Sequence, residues 1–307
     1  MNWTPEKLPD LSGKTYAITG GNSGLGLEAA KILTKKGARV VITARSEGKA
    51  QEALATVRAH SPGAEVSFVR LELDDAASVQ EAASALTEAC PRIDALINNA
   101  GVMQPPQTRT KEGFELQFAT NHLGHFRLNS QLFEHLEKSS ARIVSVSSIA
   151  HKFGSIHFDD LMGTKKYDAT QWYSQSKLAN LLYAFELQRR LQKRASRVTA
   201  IACHPGYSAT NLQSAGVGQQ GGSKFFRVLY KVTNAVMAQK AEYGSYPLVL
   251  AAADPSAEPG AYYGPTGLGQ ARGPVGKSYV HPKAMDQDVA RRLWEVTESL
   301  VGPFFPS

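Results

Sequence analysis

The sequence lacks the features that mark several specialised classes of protein. It has two cysteines, Cys90 and Cys203, far apart and in no C-x-x-C pattern. Neither a disulfide framework nor a thiolate zinc site is therefore expected, and a reducing cytoplasm fits best. His122, His125, His151, His157 and His204 form no H-E-x-x-H and no close ligand spacing, so no metal is expected. Hydrophobic runs are short, and none nears the roughly 18 residues that span a bilayer. Stable membrane insertion is not expected. Residues 1–13 include Glu6, Asp10 and two prolines without an apolar core, so they do not read as a signal peptide. The net charge is +7 and the pI near 9.3, yet no five basic residues are consecutive. Without a zinc-finger or basic-helix pattern, nucleic acid is not an expected partner. The charge reads as a solvated basic surface plus a site for an anionic cofactor. No internal repeat and no separating linker is visible.

What remains is 307 residues, 42% hydrophobic and 20% charged, an ordinary balance for a globular chain with a substantial core. One domain over 1–307 is expected, with an N-terminal extension at 1–13, a substrate lid at 208–240 and a C-terminal extension at 254–307. The organising stretch is Thr19-Gly20-Gly21-Asn22-Ser23-Gly24-Leu25-Gly26. An apolar run, Tyr16 to Ile18, precedes it, and helical spacing follows from Leu25 to Leu33. Strand, glycine loop and helix in that order make a diphosphate site. Glycine lets the backbone approach the ligand, and the helix N-terminus turns free N–H groups and a positive dipole end towards the phosphates.

Strands then alternate with helices. Strands are expected at Ala38–Thr43, Glu65–Leu73, Ile93–Ile97, Arg142–Val146 and Arg197–Cys203. Helices are expected at Glu47–His60, Ala76–Ala89, Glu112–Glu137, Trp172–Leu191, Ala241–Ala253 and Asp286–Leu300, with a last strand at Ala261–Tyr263. Short, continuously apolar strands between helices are buried on both faces. The fold class is therefore α/β, a single-domain doubly wound parallel sheet of Rossmann type with helices on both faces. Gln213–Gly222 reads as a mobile loop and Lys224–Met237 as an amphipathic segment.

Ligands of such sheets bind beyond the carboxyl ends of the strands. After the second strand stands Arg45, where an acid would bind a ribose hydroxyl. An arginine there can pair with a 2′-phosphate, which argues for NADP over NAD. After the fourth comes Asn98-Asn99-Ala100-Gly101, after the fifth Ser147-Ser148, and after the sixth His204-Pro205-Gly206-Tyr207 with Thr210. Tyr173 and Lys177 lie four apart on one helix face. An ammonium there would stabilise the phenolate and lower the tyrosine pKa towards the useful range.

Together with Asn121-His122-Leu123-Gly124, these motifs resemble the short-chain dehydrogenase/reductase family from about Lys14 to Ala253. The wording around Asn121 and Tyr173 is similar to its retinol-dehydrogenase-like branch, which often uses NADP and lipophilic substrates. The resemblance implies Tyr173 as proton donor or acceptor and Ser148 as the group that holds and polarises the substrate oxygen. It implies Lys177 on the nicotinamide ribose and Asn121 anchoring a relay water. The cofactor set is then Gly20, Asn22, Ser23, Gly24, Leu25, Gly26, Arg45, Glu72, Leu73, Asn98, Ala100, Gly101, Tyr173, Lys177, Pro205, Gly206 and Thr210. Two departures stand out. Glu72-Leu73 replaces the usual Asp-Leu near adenine. Ser148 and Tyr173 are 25 apart (173 − 148), and the inserted Ala150–Gln171 is expected as a flap. The implied activity is NADP(H)-dependent hydride transfer between nicotinamide and a lipophilic ketone, aldehyde or alcohol. An epimerase or dehydratase, or a non-catalytic NADP sensor, is the alternative. Family analogy adds a homodimer or homotetramer through the two long helices.

Overall fold

The structure is a computed structural model and describes residues 3–207 and 239–305. The expectations at 208–238, including Thr210, the mobile loop and the amphipathic segment, lie outside the described residues. In chain order the elements are β1 Thr15–Thr19, α1 Gly24–Lys35, β2 Arg39–Ala44, α2 Glu47–His60, β3 Val66–Arg70 and α3 Ala76–Ala89. Then come β4 Ala95–Asn98, α4 Leu116–Phe118, a π-helical turn Ala119–Leu123, α5 Gly124–Ser139 and β5 Arg142–Val146. After a short 3-10 turn Ile149–Phe153 follow α6 Ala169–Lys193, β6 Thr199–Cys203, α7 Ala241–Ala253, β7 Tyr262–Pro265, β8 Val275–Lys277 and α8 Gln287–Val301. One eight-stranded sheet runs β3-β2-β1-β4-β5-β6-β7-β8. All its neighbours are parallel except the last pair.

Strand alternation explains the layering. Ile18, Val40, Ile42, Ile97 and Val144 point into one cluster with Leu33 of α1, Val57 of α2 and Leu248 of α7. Ala17, Val41, Leu96 and Ile143 point into the other, with Leu86 of α3 and Phe126 of α5. Both faces are thus apolar, as the continuous runs require, and the doubly wound reading holds. The order reverses between β1 and β4, opening a crevice at the carboxyl ends of those strands.

Four departures from the sequence reading have physical causes. The helix expected from Glu112 starts only at Leu116. Gly113 adopts φ +84° in a turn closed by its N–H on Thr110 O, and the Glu115 carboxylate caps the Phe118 N–H at 2.7 Å. The π turn then interrupts the helix at Asn121. Strand β8 carries no periodic signal, being three residues inside a Gly/Pro-rich stretch. Near the N-terminus Trp3 is 2% exposed, and its Nε1 donates to Asp254 Oδ2 at 2.5 Å. Finally, α8 and the residues after it pack on α5 and α6, the two helices that family analogy names for subunit contact. Trp294 of α8 packs on Phe126 at 5.0 Å and stacks on Tyr183 at 5.8 Å, and Phe304 packs on Phe126 at 5.1 Å. Burying such rings stabilises the fold by about 1.5–3 kcal/mol each.

Candidate active site

A cleft of roughly 770 Å³ lies along the carboxyl ends of the strands. At one end β1 delivers the glycine loop. Gly20 has φ +64°, and a Cβ there would stand 3.0 Å from Ala100, so the loop after β1 and the loop after β4 touch only because this residue is glycine. A Cβ on Gly26 would meet Asn99 Nδ2 and Gly20 O, each at 2.7 Å. Gly26 therefore packs α1 under the loop rather than lining the cleft. The Ser23 side chain caps nothing, so the first N–H groups of α1, at Gly24 and Leu25, face the cleft free of a side-chain acceptor.

Buried Thr19 holds the two loops in register. Its Oγ1 accepts from Asn99 N and Ala100 N, both at 2.9 Å. His125 Nδ1 is 3.1 Å from Asn121 O, so that nitrogen donates. His125 Nε2 is then an acceptor, and the Thr19 hydroxyl donates to it at 2.9 Å. Burial holds the His125 pKa down to about 4, so the ring stays neutral. Asn99 Nδ2 donates to Thr19 O at 2.8 Å and to Gly20 O at 3.3 Å. The side chain that lines the cleft here is therefore Asn99, with Ala100 and Gly101. Asn98 is 3% exposed and lies off the cleft, a correction to its expected role. β4 ends at Asn98, so Asn98 lies within the buried strand and Asn99 opens the loop beyond it.

Glu72 requires a second correction. Its carboxylate pairs with Arg70 at 2.5 Å and does not line the cleft, whereas Leu73 and Asp74 do. Arg70 is the last residue of β3, and Glu72 pairs back onto it from just beyond the strand. Arg45 and Lys49 both reach the cleft wall and are exposed, beside Asn22 and Ser23. Lys49 was not singled out from sequence; its signal was its place one helical turn beyond Arg45. Pro205 and Gly206 line the cleft, and buried His204 accepts the Gly206 N–H at 3.1 Å on Nδ1 beneath them. Burial lowers His204 to about 3.

The other end is built by β5 and α6. Ser147 Oγ donates to Lys177 O at 2.7 Å and docks the strand end onto the helix. Ser148 and Tyr173 both line the cleft here, and the serine side chain is near enough to pull the tyrosine pKa down. Tyr173 is 9% exposed and Lys177 only 4%. Lys177 Nζ donates to Val146 O at 3.2 Å and stands 5.8 Å from the Tyr173 ring centre. Burial pushes Tyr173 up to about 12, with Ser148 pulling against it, and burial lowers Lys177 to about 8. The expected lowering of the tyrosine by the ammonium is thus reversed in sign here. Desolvation of the phenolate outweighs a cation held one ring-width away. Tyr173 is consequently a protonated phenol at neutral pH, a donor in waiting. Asn121 does not line the cleft. Its Oδ1 accepts from Val102 N at 2.8 Å, while Nδ2 donates to Val102 O at 3.0 Å and Ser176 Oγ at 2.9 Å. Its amide fixes the loop that carries Gly101, where a Cβ would stand 3.6 Å from Lys177 Nζ.

The inserted segment between Ser148 and α6 closes one wall. Gln104, at φ +51°, donates through Nε2 to Thr170 Oγ1 at 2.9 Å, and both residues line the cleft. Among the described residues no group of His, Cys, Asp and Glu could hold a metal, and no helix is long and apolar enough to cross a membrane.

The family model for short chain dehydrogenase matches residues 14–220. The chain belongs to the short-chain dehydrogenase/reductase family of oxidoreductases. Among curated proteins it is 38% identical to mouse (Mus musculus) retinol dehydrogenase 14 over 95% of this chain and 87% of that one. It is also 38% identical to human (Homo sapiens) retinol dehydrogenase 13 over 97% and 87%. It therefore sits in the retinol-dehydrogenase-like branch. Among solved structures, an uncharacterized protein from Mycobacterium paratuberculosis matches at 35% identity with a TM-score of 0.81, covering 100% of both chains. A Pseudomonas aeruginosa RhlG/NADP active-site complex shares the fold, at 21% identity and a TM-score of 0.63 over 82% of this chain and 94% of that one.

Proposed function

We propose that the protein is an NADP(H)-dependent oxidoreductase that interconverts a lipophilic carbonyl compound and its alcohol, with Tyr173 as the acid/base. The observation that carries this reading is the buried Tyr173 phenol, with Ser148 beside it and Lys177 Nζ 5.8 Å from its ring centre, at the floor of a cleft that begins in a glycine loop. The cleft suits a dinucleotide. The free N–H groups of α1 and the Gly20 approach fit a diphosphate, and Gly101, Lys177 and Gly206 fit the ribose and nicotinamide end. Arg45 and Lys49 supply two positive charges where a 2′-phosphate would lie, and no acid stands at that strand end to take a ribose hydroxyl pair. Val102, Met103, Ile149, Ala150 and Phe153 give the substrate end an apolar lining, in keeping with the retinol for which its relatives are named.

The nicotinamide supplies or accepts the hydride. In the reductive direction Tyr173 donates its proton to the substrate oxygen, and Ser148 donates a hydrogen bond to the same atom. The phenol's high pKa suits it to hold that proton until negative charge develops on the oxygen. Lys177 limits the cost of the phenolate left behind. Oxidation runs the same transfers in reverse. Asn121 acts in this scheme by holding Val102 and Ser176. The test is NADPH oxidation over a panel of aldehydes and ketones, run beside Tyr173→Phe. The variant is expected to bind NADPH normally and lose about 10²- to 10⁴-fold in kcat. Full activity in the variant would end the mechanism. Tight NADPH binding with no turnover on any carbonyl would favour a sensor.

A further inference from the structure

We infer that His151 is a positioning residue for Ser148, and that its Nδ1–H sets the orientation in which the serine hydroxyl meets Tyr173; this rests on the oxidoreductase reading. His151 is fully buried three residues beyond Ser148, in the 3-10 turn Ile149–Phe153. Its Nδ1 stands 2.6 Å from Ser148 O, and its backbone N–H also donates to that oxygen at 3.1 Å. A ring nitrogen that close to a carbonyl oxygen must carry the proton. The Ser148 carbonyl is therefore held by two donors, and the peptide plane that presents its side chain cannot rotate without breaking both. Ser148 Oγ in turn accepts from Ala150 N at 3.2 Å, which leaves its own proton for Tyr173 or the substrate oxygen.

The turn is itself pinned. Gly154 leaves no room above α6, since a Cβ there would sit 2.5 Å from Ser174 O. Lys283 Nζ donates to Gly154 O at 2.9 Å. Tyr262 of β7 meets the His151 ring edge-on at 5.7 Å. The assignment of the proton to Nδ1 leaves Nε2 a bare acceptor, and among the described residues it is buried with no partner. A buried acceptor without a protein partner costs stability. A residue chosen for packing alone would not carry that cost, since leucine would fill the same space. Burial lowers the ring to about 4, so it is neutral across the working range.

The tests are His151→Leu and His151→Asn. His151→Leu keeps the volume and removes the donor, whereas the asparagine amide can place an N–H near the Nδ1 position. His151→Leu is expected to lower kcat for the best carbonyl of the panel by about 10- to 100-fold, with KM for NADPH within about twofold. His151→Asn should recover most of that loss. A crystal structure of His151→Leu should show Ser148 turned away from Tyr173. Unchanged kcat with the Ser148–Tyr173 contact intact overturns the inference, as does an equal loss in both variants. Nitrogen-15 NMR of the wild-type histidines adds an arm that needs no turnover and no variant. It should show His151 with Nδ1 protonated and Nε2 bare at pH 6 to 8. The opposite tautomer overturns the inference. If the wild type turns over no carbonyl at all, the functional proposal fails, while the structure of His151→Leu and the NMR tautomer still decide what His151 does to Ser148.

Discussion

The two ends of the cleft are built by different means. The dinucleotide end is made of backbone: glycines at Gly20 and Gly26, free N–H groups at the start of α1, and Thr19 and Asn99 stitching two adjacent loops. The catalytic end is made of side chains drawn from distant segments. Ser148 lies past β5, Tyr173 and Lys177 on α6, Tyr262 on β7 and Lys283 near α8. A phosphate needs many weak, fixed donors, which peptide groups provide. Proton transfer needs one group of tuned acidity, which only a packed side chain provides. The first end should therefore respond to mutation mainly in binding, the second mainly in turnover.

Lys177→Met gives the sharpest contrast. It removes the buried ammonium beside Tyr173, and kcat/KM in carbonyl reduction is expected to fall by about 10²- to 10⁴-fold. Steady-state kinetics with NADPH would check it, and a loss confined to KM would blur the division between the two ends. Acidification should strike both ends together. Burial lowers His122 and His204 to about 3 and His125 and His151 to about 4, below the ordinary 6.5. The unfolded chain binds these protons first. Stability is then fully present above about pH 6.5 and is lost as pH falls towards 4, by up to about 1.4 kcal/mol per pH unit per histidine. Denaturant melts at pH 7 and 5 measure this, and a flat profile would mean the rings are protonated in the fold.

Arg45→Asp should weaken NADPH by about 10- to 100-fold and leave NADH nearly unchanged, since a charge-assisted phosphate contact contributes roughly 1.5–3 kcal/mol. Fluorescence titration of both cofactors checks it. An unaltered preference would move the phosphate contact to Asn22, Ser23 or Lys49. The smallest effect is expected from Asn99→Ala, which leaves Thr19 O short of its amide donor and should cost about 1–2 kcal/mol of stability. Urea denaturation should show that loss, with NADPH binding weakened more than kcat. The reverse pattern would place Asn99 at the catalytic end.

This division also explains what was legible in the sequence. The glycine loop, the alternation of strands and helices, and the Tyr173/Lys177 pair are local patterns, and each stood where it was expected. The errors arose where tertiary context decides. Reading Asn98 rather than Asn99 missed which residue of the pair leaves the strand. Glu72 pairs with Arg70 two residues back, a contact the sequence pattern did not announce. The sign of the Tyr173 shift followed from burial, which spacing along a helix does not reveal. Trp3 and Trp294 were legible only as aromatic residues, not as parts of the two cores on either face of the sheet.

The most direct measurement is a crystal structure with NADP bound. The account predicts a nicotinamide ring whose reactive carbon faces the Tyr173 hydroxyl across a space for one carbonyl group, with Lys177 on its ribose. A ring seated away from Tyr173, or a Tyr173 hydroxyl turned to bulk solvent, would contradict it.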